Sequence, residues 1–539
     1  VSSNIIEAPV LIAGGGLVGL SAAMFLGQHN VESVVLEKLA TPSALPRAAH
    51  FHLRTIELFR QAGIENDVIA QSEDEFLPDG AIVVMESLAG RKLADIIGNL
   101  NGGVEALSPC RRLFVSQPRL EPILRRRAEA TGARVLAGYE VVDIRQERDC
   151  VHVTARNTTS GAEQRVATQY LIGADGARSK VREAAGIRLK GRPAFSNSMT
   201  IYFDADLSAL IGEKTLSVIY IANAALRGIF RLDKHARSGF LIVNIVGDPL
   251  TDPEASSPAN DVSEGRLIEL VRAAAGVPDL AVRIAGVTRW RATSEVADRY
   301  QAGRVFLAGD SAHVMPPTGG FGGNTGIHDA HNLAWKLALA TTGHSQDILE
   351  TYDTERRPIG SLTAEQAYAR YVLRTAPHLR AADTPCLVAD FNLELGYRYR
   401  SRVGANEDLH DGLHEDPHDS LGRPGSRAPH VWLQRDGRRV STLDLYGPGF
   451  VLMTDSDCHE WRAAASGSSS VSIECRARGR DFDDPHELFA AAHGITHTGA
   501  VLVRPDGFVA WRGRSRSSEL MAELSRKCRC ASTAARPGC

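Results

Sequence analysis

The feature that most constrains this 539-residue chain is a glycine-rich turn set between two short apolar runs near its start. Ala8–Ala13 (APVLIA) has the composition of a buried strand, and Gly14-Gly15-Gly16-Leu17-Val18-Gly19 fits G-x-G-x-x-G. An apolar-periodic helix follows to about Gln28, and Val31–Leu36 (VESVVL) is a second strand closed by Glu37, 23 residues beyond Gly14. Glycines so placed allow a tight turn and let the backbone approach a pyrophosphate, which then faces the amides of a helix N-terminus. An acid about 20 residues on can hold a ribose. The order strand, glycines, helix, strand, acid predicts a dinucleotide site; the plainer alternative is a glycine-rich turn that binds nothing. A carboxylate at position 37 favours a free ribose diol over a 2′-phosphate, so FAD or NAD is expected here rather than NADPH.

Nearly 300 residues downstream a second segment fits the same ligand. Residues 305–308 are a short apolar run ending on Gly309-Asp310, followed by a Gly/Pro-dense loop and a helix predicted from about Thr325. A carboxylate at a strand end accepts hydroxyl hydrogen bonds, and helix N-terminal amides stabilise negative charge. Together they suit a polyol-phosphate cofactor with an electron-rich ring. A third segment, Val166–Val181, carries a strand at Tyr170–Ile172 that ends on Gly173-Ala174-Asp175-Gly176, with Arg178 just after. Asp175 falls where open α/β sheets place ligands, although an Asp-Gly turn capping a helix reads the same way. Arg47, His50, His52 and Arg54 cluster in residues 41–60, where they could pair with phosphates or form a solvated loop and helix start.

Length and patterning give the layout. A chain this long exceeds one ordinary core. The expected divisions are 1–189 and 291–404 as two parts of a nucleotide domain, 190–290 as an inserted, largely antiparallel sheet, 405–430 as a linker, 431–530 as a separate α/β domain and 531–539 as a disordered tail. Strands are predicted at 199–203, 216–222, 227–232 and 239–246, a helix at 264–275, and a helix at 350–369 broken near Pro358. In the last domain strands are predicted near Leu443 and at 450–453, 471–475 and 501–503. Net charge is −3 with no long basic run, so no nucleic-acid partner is expected. Membrane-length apolar stretches and a basic n-region are absent, and eight scattered cysteines suggest free thiols in a cytoplasmic protein without a metal site.

Taken as a set, Gly14–Glu37, Gly173–Gly176 with Arg178, and Gly309-Asp310 with Pro316–Asn324 resemble the single-component (class A) FAD-dependent aromatic hydroxylases. That family is typified by p-hydroxybenzoate and phenol hydroxylases. The segment GNTGIHDAHNLAWKLA looks closest to chlorophenol hydroxylases and to bacterial aromatic polyketide hydroxylases. The resemblance implies a Rossmann-like FAD domain with the inserted sheet as substrate domain, and a thioredoxin-like C-terminal domain that here lacks CxxC. It implies that Gly14, Gly16 and Gly19 receive the FAD pyrophosphate, Glu37 the adenosine ribose, and Arg47 the pyrophosphate or the reductant. Gln117 would touch the ribityl or adenosine portion, Asp175 would serve FAD and NADPH, and Asp310 would hold ribityl hydroxyls. Pro316, Gly319, Gly322, Gly323 and Asn324 would lie beside the flavin ring.

The implied chemistry is NADPH- or NADH-driven hydroxylation of a phenolic or polycyclic aromatic substrate by O₂, through an FAD C4a-hydroperoxide. His50 and His52 are candidate bases, because a neutral imidazole accepts a proton near neutral pH. Tyr202, Tyr220, Phe230 and Trp290 are candidate substrate contacts, each of which ordinary core packing would also explain. A Baeyer–Villiger oxygenase on the same fold, or a flavin-binding scaffold without activity, are the alternatives. The absent WxWxIP argues against a halogenase. An arginine-rich composition weakly favours the antibiotic-pathway branch, and a monomer or homodimer is expected by family analogy.

Overall fold

The computed structural model describes residues 5–41, 49–247, 251, 262–343, 346–400, 412–456, 459–466, 472–515, 519 and 522. Ile6–Ala13 (β1), Leu17–Gln28 (α1) and Ser33–Glu37 (β2) form the expected β-α-β unit, and Leu53–Gln61 (α2) follows. β1 pairs in parallel with β2 on one side and with Glu163–Gly173 (β3) on the other. Val305–Leu307 joins beyond β3, and Ala133–Ala137 beyond β2, both in parallel. In register, Ala13 lies beside Leu36 and Gly173, and Gly173 beside Leu307. All four strands therefore end in one row, and Gly14, Glu37, Asp175 and Asp310 leave the sheet along a single edge. Strands covered on both faces need near-continuous apolar sequence; residues 10–13, 34–36 and 170–172 are all buried.

The second sheet contains Leu189–Asp204 (β4), Leu216–Ala222 (β5), Leu226–Leu232 (β6), Ser238–Val246 (β7) and Arg283–Ala297 (β8), in the spatial order β8-β4-β7-β6-β5 with antiparallel neighbours. The layout departs from the sequence reading in two places. Ala81–Met85 and Lys92–Ile97, counted with the nucleotide domain, extend this sheet beyond β5. β8 carries the sheet past residue 290, and its mixed, charge-bearing sequence RIAGVTRWRATSEVA gives little strand signal because much of one face is solvated. Glu264–Ala275 (α3) covers the far face, where Leu270, Val271 and Ala274 meet Phe203, Phe230 and Leu241.

Phe321–Thr341 (α4) starts about four residues earlier than expected, because Gly320 turns the chain at φ 72° and Phe321-Gly322-Gly323 make the first turn. Asp347–Arg374 (α5) runs unbroken through Pro358. The expected break does not occur: Tyr352, Arg356, Ile359 and Thr363 are buried on both sides of the proline. That packing holds the helix against the roughly 3 kcal/mol cost of an interior proline.

The C-terminal unit has a four-stranded sheet of Phe450–Thr454, Ile473–Ala477, Ala500–Val503 and Val509–Gly513, with one parallel pair. Leu443 lies in a 3-10 turn rather than a strand. Buried charge clamps this unit to the rest. Glu57 on α2 accepts from Arg427 at 2.5 and 2.9 Å and from Arg54 at 3.0 Å, and Glu355 on α5 accepts from Arg504 at 2.7 and 2.8 Å. Arg427 belongs to the stretch read as linker, of which residues 412–430 are described and carry several buried side chains. The tail 531–539 lies outside the described residues.

Candidate functional site

A cavity of about 1130 Å³ opens along the shared strand edge and continues to the near face of the second sheet. Gly14, Gly15, Gly16, Glu37, Gln117, Asp175 and Asp310 line its outer part. Pro316, Gly319, Gly320, Gly322, Gly323, His50 and His52 line its waist, and Tyr202, Tyr220 and Trp290 its inner wall.

The outer part is built to take a close-packed ligand. Gly14 has φ +103°, and a Cβ there would lie 2.2 Å from the Ala174 carbonyl oxygen, so only glycine lets β1 and β3 end side by side. A Cβ at Gly16 would meet nothing nearer than Glu121 Oε1 at 3.6 Å, leaving open space before the backbone. Gly19 differs from the expectation. It does not line the cavity, and a Cβ there would lie 1.9 Å from the Gly14 carbonyl oxygen, so its smallness seats α1 against the turn. Glu37 accepts from the Gly15 amide at 2.6 Å and the Leu39 amide at 2.8 Å, which ties the second strand's end to the glycine turn. Gln117 donates to Glu121 at 2.7 Å on the opposite wall.

Asp175 is largely committed to its own helix: Ser179 Oγ donates to it at 2.5 Å and the Val181 amide at 3.2 Å. Burial pushes its carboxyl up, against the pull of those hydrogen bonds. Asp310, by contrast, is exposed toward the cavity. Its turn is braced from beneath, where the Gly309 amide donates to Asp329 at 3.2 Å and Asp329 is paired with Arg356 and His313 at 2.8 and 2.9 Å. That buried triad had no local sequence signal, since its members lie on three separate segments.

The waist is held by Asn324. Its Oδ1 accepts from the His52 amide at 2.9 Å and Thr55 Oγ1 at 2.6 Å, and its Nδ2 donates to the His50 and Gly320 carbonyls at 2.9 and 2.6 Å. Asn324 is buried and does not line the cavity, so it fastens the loop to the histidine segment rather than touching a ligand. His52 Nε2 bonds the Gly319 carbonyl at 2.9 Å. The His50 ring stacks on Phe114 with centroids 4.6 Å apart, and its buried Nε2 has no hydrogen-bond partner. Burial, then neighbouring His52, Arg112 and Arg231, hold the His50 imidazole well below its ordinary value, so it is neutral near pH 7. Arg47 lies outside the described residues.

At the inner wall Trp290 Nε1 donates to Thr200 Oγ1 at 3.1 Å, and Arg374 donates to the Tyr220 hydroxyl at 3.3 Å. Phe230 is a correction: it packs on Phe203 beneath α3, on the opposite face of β6 from the cavity. Strand alternation turns its neighbours Ile229 and Arg231 inward instead. The sequence reading missed Arg231, Phe240 and the pairs Arg112–Glu394 and Arg370–Asp390, all lining residues; β-alternation could have found the first. Among the described residues, Glu147, Cys150 and His152 bring ligand-type atoms together, but at the surface away from this cavity. No described helix is long and apolar enough to cross a membrane.

A parallel sheet whose strand ends frame a glycine turn and an exposed aspartate, opening onto a second, largely antiparallel sheet, is the arrangement of a dinucleotide-binding flavoprotein. Residues 7–367 match the FAD binding domain family, and residues 421–529 match the family of aromatic-ring hydroxylase C-terminal domains. The chain is 46% identical over 530 residues to a 4-methyl-5-nitrocatechol 5-monooxygenase of Burkholderia sp, covering 96% of each chain. It is 37% identical to the tetracenomycin A2 monooxygenase-dioxygenase of Streptomyces glaucescens, covering 96% of this chain and 95% of that one. Among solved structures, aklavinone-11 hydroxylase in a ternary complex with FAD and aklavinone matches with TM-score 0.89 at 33% identity, covering 97% of this chain and 99% of the other. The chain belongs to the FAD-dependent aromatic-ring hydroxylases. It is a flavin-dependent monooxygenase that hydroxylates an aromatic substrate.

Proposed function

We propose that the ring hydroxylated is a substituted phenol or catechol, held between the waist loop and the near face of the second sheet, with NADPH or NADH as reductant. The observation that carries this reading is continuity: the glycine turn, the Pro316–Gly323 loop and the Tyr202, Tyr220 and Trp290 wall line one cavity. When bound, FAD takes electrons from the reduced nicotinamide nucleotide and supplies activated oxygen, one atom going to the ring and one to water. The chain's residues bind and position. The backbone of Gly14–Gly16 would hold the pyrophosphate, and the carboxylates of Glu37 and Asp310 would take the sugar and polyol hydroxyls. Pro316 and Gly319–Gly323 would border the flavin ring, where the first α4 amides favour negative charge. Neutral His50, with its unpartnered Nε2, can accept the phenol proton. Apolar walls around Leu100, Ile229 and Ile242 exclude water.

The Burkholderia relative supports a monocyclic catechol. A second reading, a polycyclic polyketide as the antibiotic-pathway branch would take, is favoured by the likeness to the aklavinone complex. The C-terminal unit, with its mixed four-stranded sheet, is read as thioredoxin-like, and a cytoplasmic setting is read from the need for reduced nicotinamide nucleotide. The test is oxidation of NADPH and NADH by the FAD-loaded protein, with and without catechols and anthraquinone-type polyketides. Ring-dependent oxidation and a new phenol by product NMR are expected. A lactone would identify Baeyer–Villiger chemistry, and peroxide alone with every ring would refute the substrate reading.

A further inference from the structure

The strand pair beside β3 carries a cluster of metal-ligand atoms that the flavin site does not use. Tyr139–Gln146 and Val151–Asn157 form an antiparallel hairpin, and the second of them pairs with β3. The Glu147 amide donates to the Cys150 carbonyl at 2.8 Å, closing a turn over Arg148 and Asp149. Strand alternation puts Val151 and Val153 in the core and turns Cys150 and His152 to the outer face, where Glu147 is also exposed. Cys150 Sγ lies 3.2 Å from His152 Nε2 and 3.9 Å from Glu147 Oε2, and His152 Nε2 lies 3.6 Å from Glu147 Oε1. Thiol, imidazole and carboxylate thus converge on one point. Two neighbouring charges are directed elsewhere: Asp149 pairs with Arg304 at 3.5 Å, and Arg145 with Asp143 at 3.4 Å.

Donor atoms on a tetrahedral zinc ion, bonded at about 2.0–2.3 Å, stand about 3.3–3.6 Å apart. The three atoms here already lie close to that spacing, so small side-chain rotations would seat an ion between them. A nucleophile–base–acid relay is the other use of Cys, His and Glu, and the geometry argues against it. Such a relay divides its partners between the two ring nitrogens, whereas here one nitrogen faces both. Thiolate and imidazole suit Zn²⁺ over the oxygen-seeking Mg²⁺ and Ca²⁺. We propose that Cys150, His152 and Glu147 form a zinc-binding site on this hairpin, with water completing the coordination. Zn²⁺ enters as the thiol proton leaves to solvent, and the ion then joins the two strands across their turn. That turn also steadies the sheet: the Arg304 amide donates to Gln146 at 2.6 Å and Arg304 Nε to the Arg148 carbonyl at 2.8 Å, just before the strand Val305–Leu307. The site is therefore structural, and it stands apart from the flavin chemistry.

The test uses the FAD-loaded full chain, freed of metal and titrated with Zn²⁺ against a chromophoric chelator. A parallel titration with Co²⁺ follows the thiolate-to-cobalt charge-transfer band as a difference spectrum. Because the chain has eight cysteines, the site is read as the difference between wild type and Cys150→Ser. Wild type is expected to hold one more Zn²⁺ than Cys150→Ser, with half-saturation below about 0.1 mM. His152→Ala and Glu147→Gln should each weaken that ion at least about tenfold and leave the FAD content unchanged. In wild type, Zn²⁺ should slow alkylation of Cys150 by iodoacetamide, followed by peptide mass spectrometry, and Mg²⁺ should not. Equal zinc uptake by wild type and Cys150→Ser, weaker half-saturation, or a cobalt–thiolate band kept at full affinity in His152→Ala or Glu147→Gln overturns the proposal. So does alkylation of wild-type Cys150 at the same rate with and without Zn²⁺, a measurement that needs no variant to fold.

Discussion

Gly14→Ala and Gly16→Ala, two residues apart in one motif, should fail in different ways. At Gly14 a methyl would sit 2.2 Å from the Ala174 oxygen and 2.6 Å from its carbonyl carbon, on backbone with φ +103°. Holding a side chain in such backbone costs about 1–3 kcal/mol, and overpacking against a neighbouring strand adds about 1–3 kcal/mol. Since Ala174 precedes Asp175, the displaced backbone belongs to the site itself. Gly14→Ala should therefore lower apo-protein stability by about 2–6 kcal/mol and abolish FAD retention. At Gly16 the backbone is extended, φ −82° and ψ −167°, and the methyl's nearest neighbour is 3.6 Å away. Its apo-protein should lie within about 1 kcal/mol of wild type, yet its methyl enters the space before the turn and should weaken FAD at least about tenfold. Urea unfolding of the apo-proteins by circular dichroism, with FAD titration by fluorescence quenching, separates the two. Wild-type stability and FAD affinity in Gly14→Ala, or unchanged FAD affinity in Gly16→Ala, would refute the account of the turn.

Other outcomes follow from the same packing. Asn324→Ala removes four buried hydrogen bonds that fasten the waist loop; it should cost about 2–4 kcal/mol and cut turnover more than FAD affinity, as stopped-flow reduction and FAD titration would reveal. Phe230→Ala should destabilise by about 3–5 kcal/mol while leaving the KM of the surviving folded enzyme close to wild type, whereas Tyr220→Phe, on the cavity wall, should change KM with little loss of stability. For Glu57, burial acts to raise the carboxyl, but Arg427 and Arg54 outweigh it and hold it below its ordinary 4.5. The unfolded chain then takes the proton first, so the docking contribution is full above about 4.5 and declines as pH falls below it. Glu57→Gln should flatten that acid limb in denaturation measured against pH. His50 is held neutral by burial; unfolded chains bind its proton below the ordinary 6.5, so folding should weaken as pH drops under that value, and His50→Gln should reduce the slope.

The local elements were readable because their signals are local. β1, the glycine turn, α1 and Glu37 follow within one β-α-β unit, and β4 to β7 are apolar β-type runs separated by polar turns. Elements whose stability comes from distant contacts were not readable in this way. α5 persists through Pro358 because neighbours pack on both sides of it, and β8 pairs with β4 over 15 residues despite its solvated charges. The site divides along the same line. The places of Gly14, Gly16, Glu37 and Asp310 on the cavity edge could be read from spacing, since each depends on its own turn or strand end. Gly19 belongs to the right motif but seats α1 on the Gly14 turn instead of lining the cavity, Asn324 works against the distant His50–Thr55 segment, and Arg47 lies outside the described residues.

The sequence by itself determined that this chain makes a dinucleotide turn, a Gly-Asp strand end and an inserted antiparallel sheet, since these depend on residue order within short windows. Only the tertiary structure decided that Ala13, Leu36, Gly173 and Leu307 end in one row, that Phe230 faces the core while Arg231 faces the cavity, and that Glu57 and Glu355 anchor the C-terminal unit. Strand register, the choice of which strand face meets the cavity and the pairing of a buried charge are set by partners up to hundreds of residues away; local alternation says only that Phe230 and Arg231 take opposite faces.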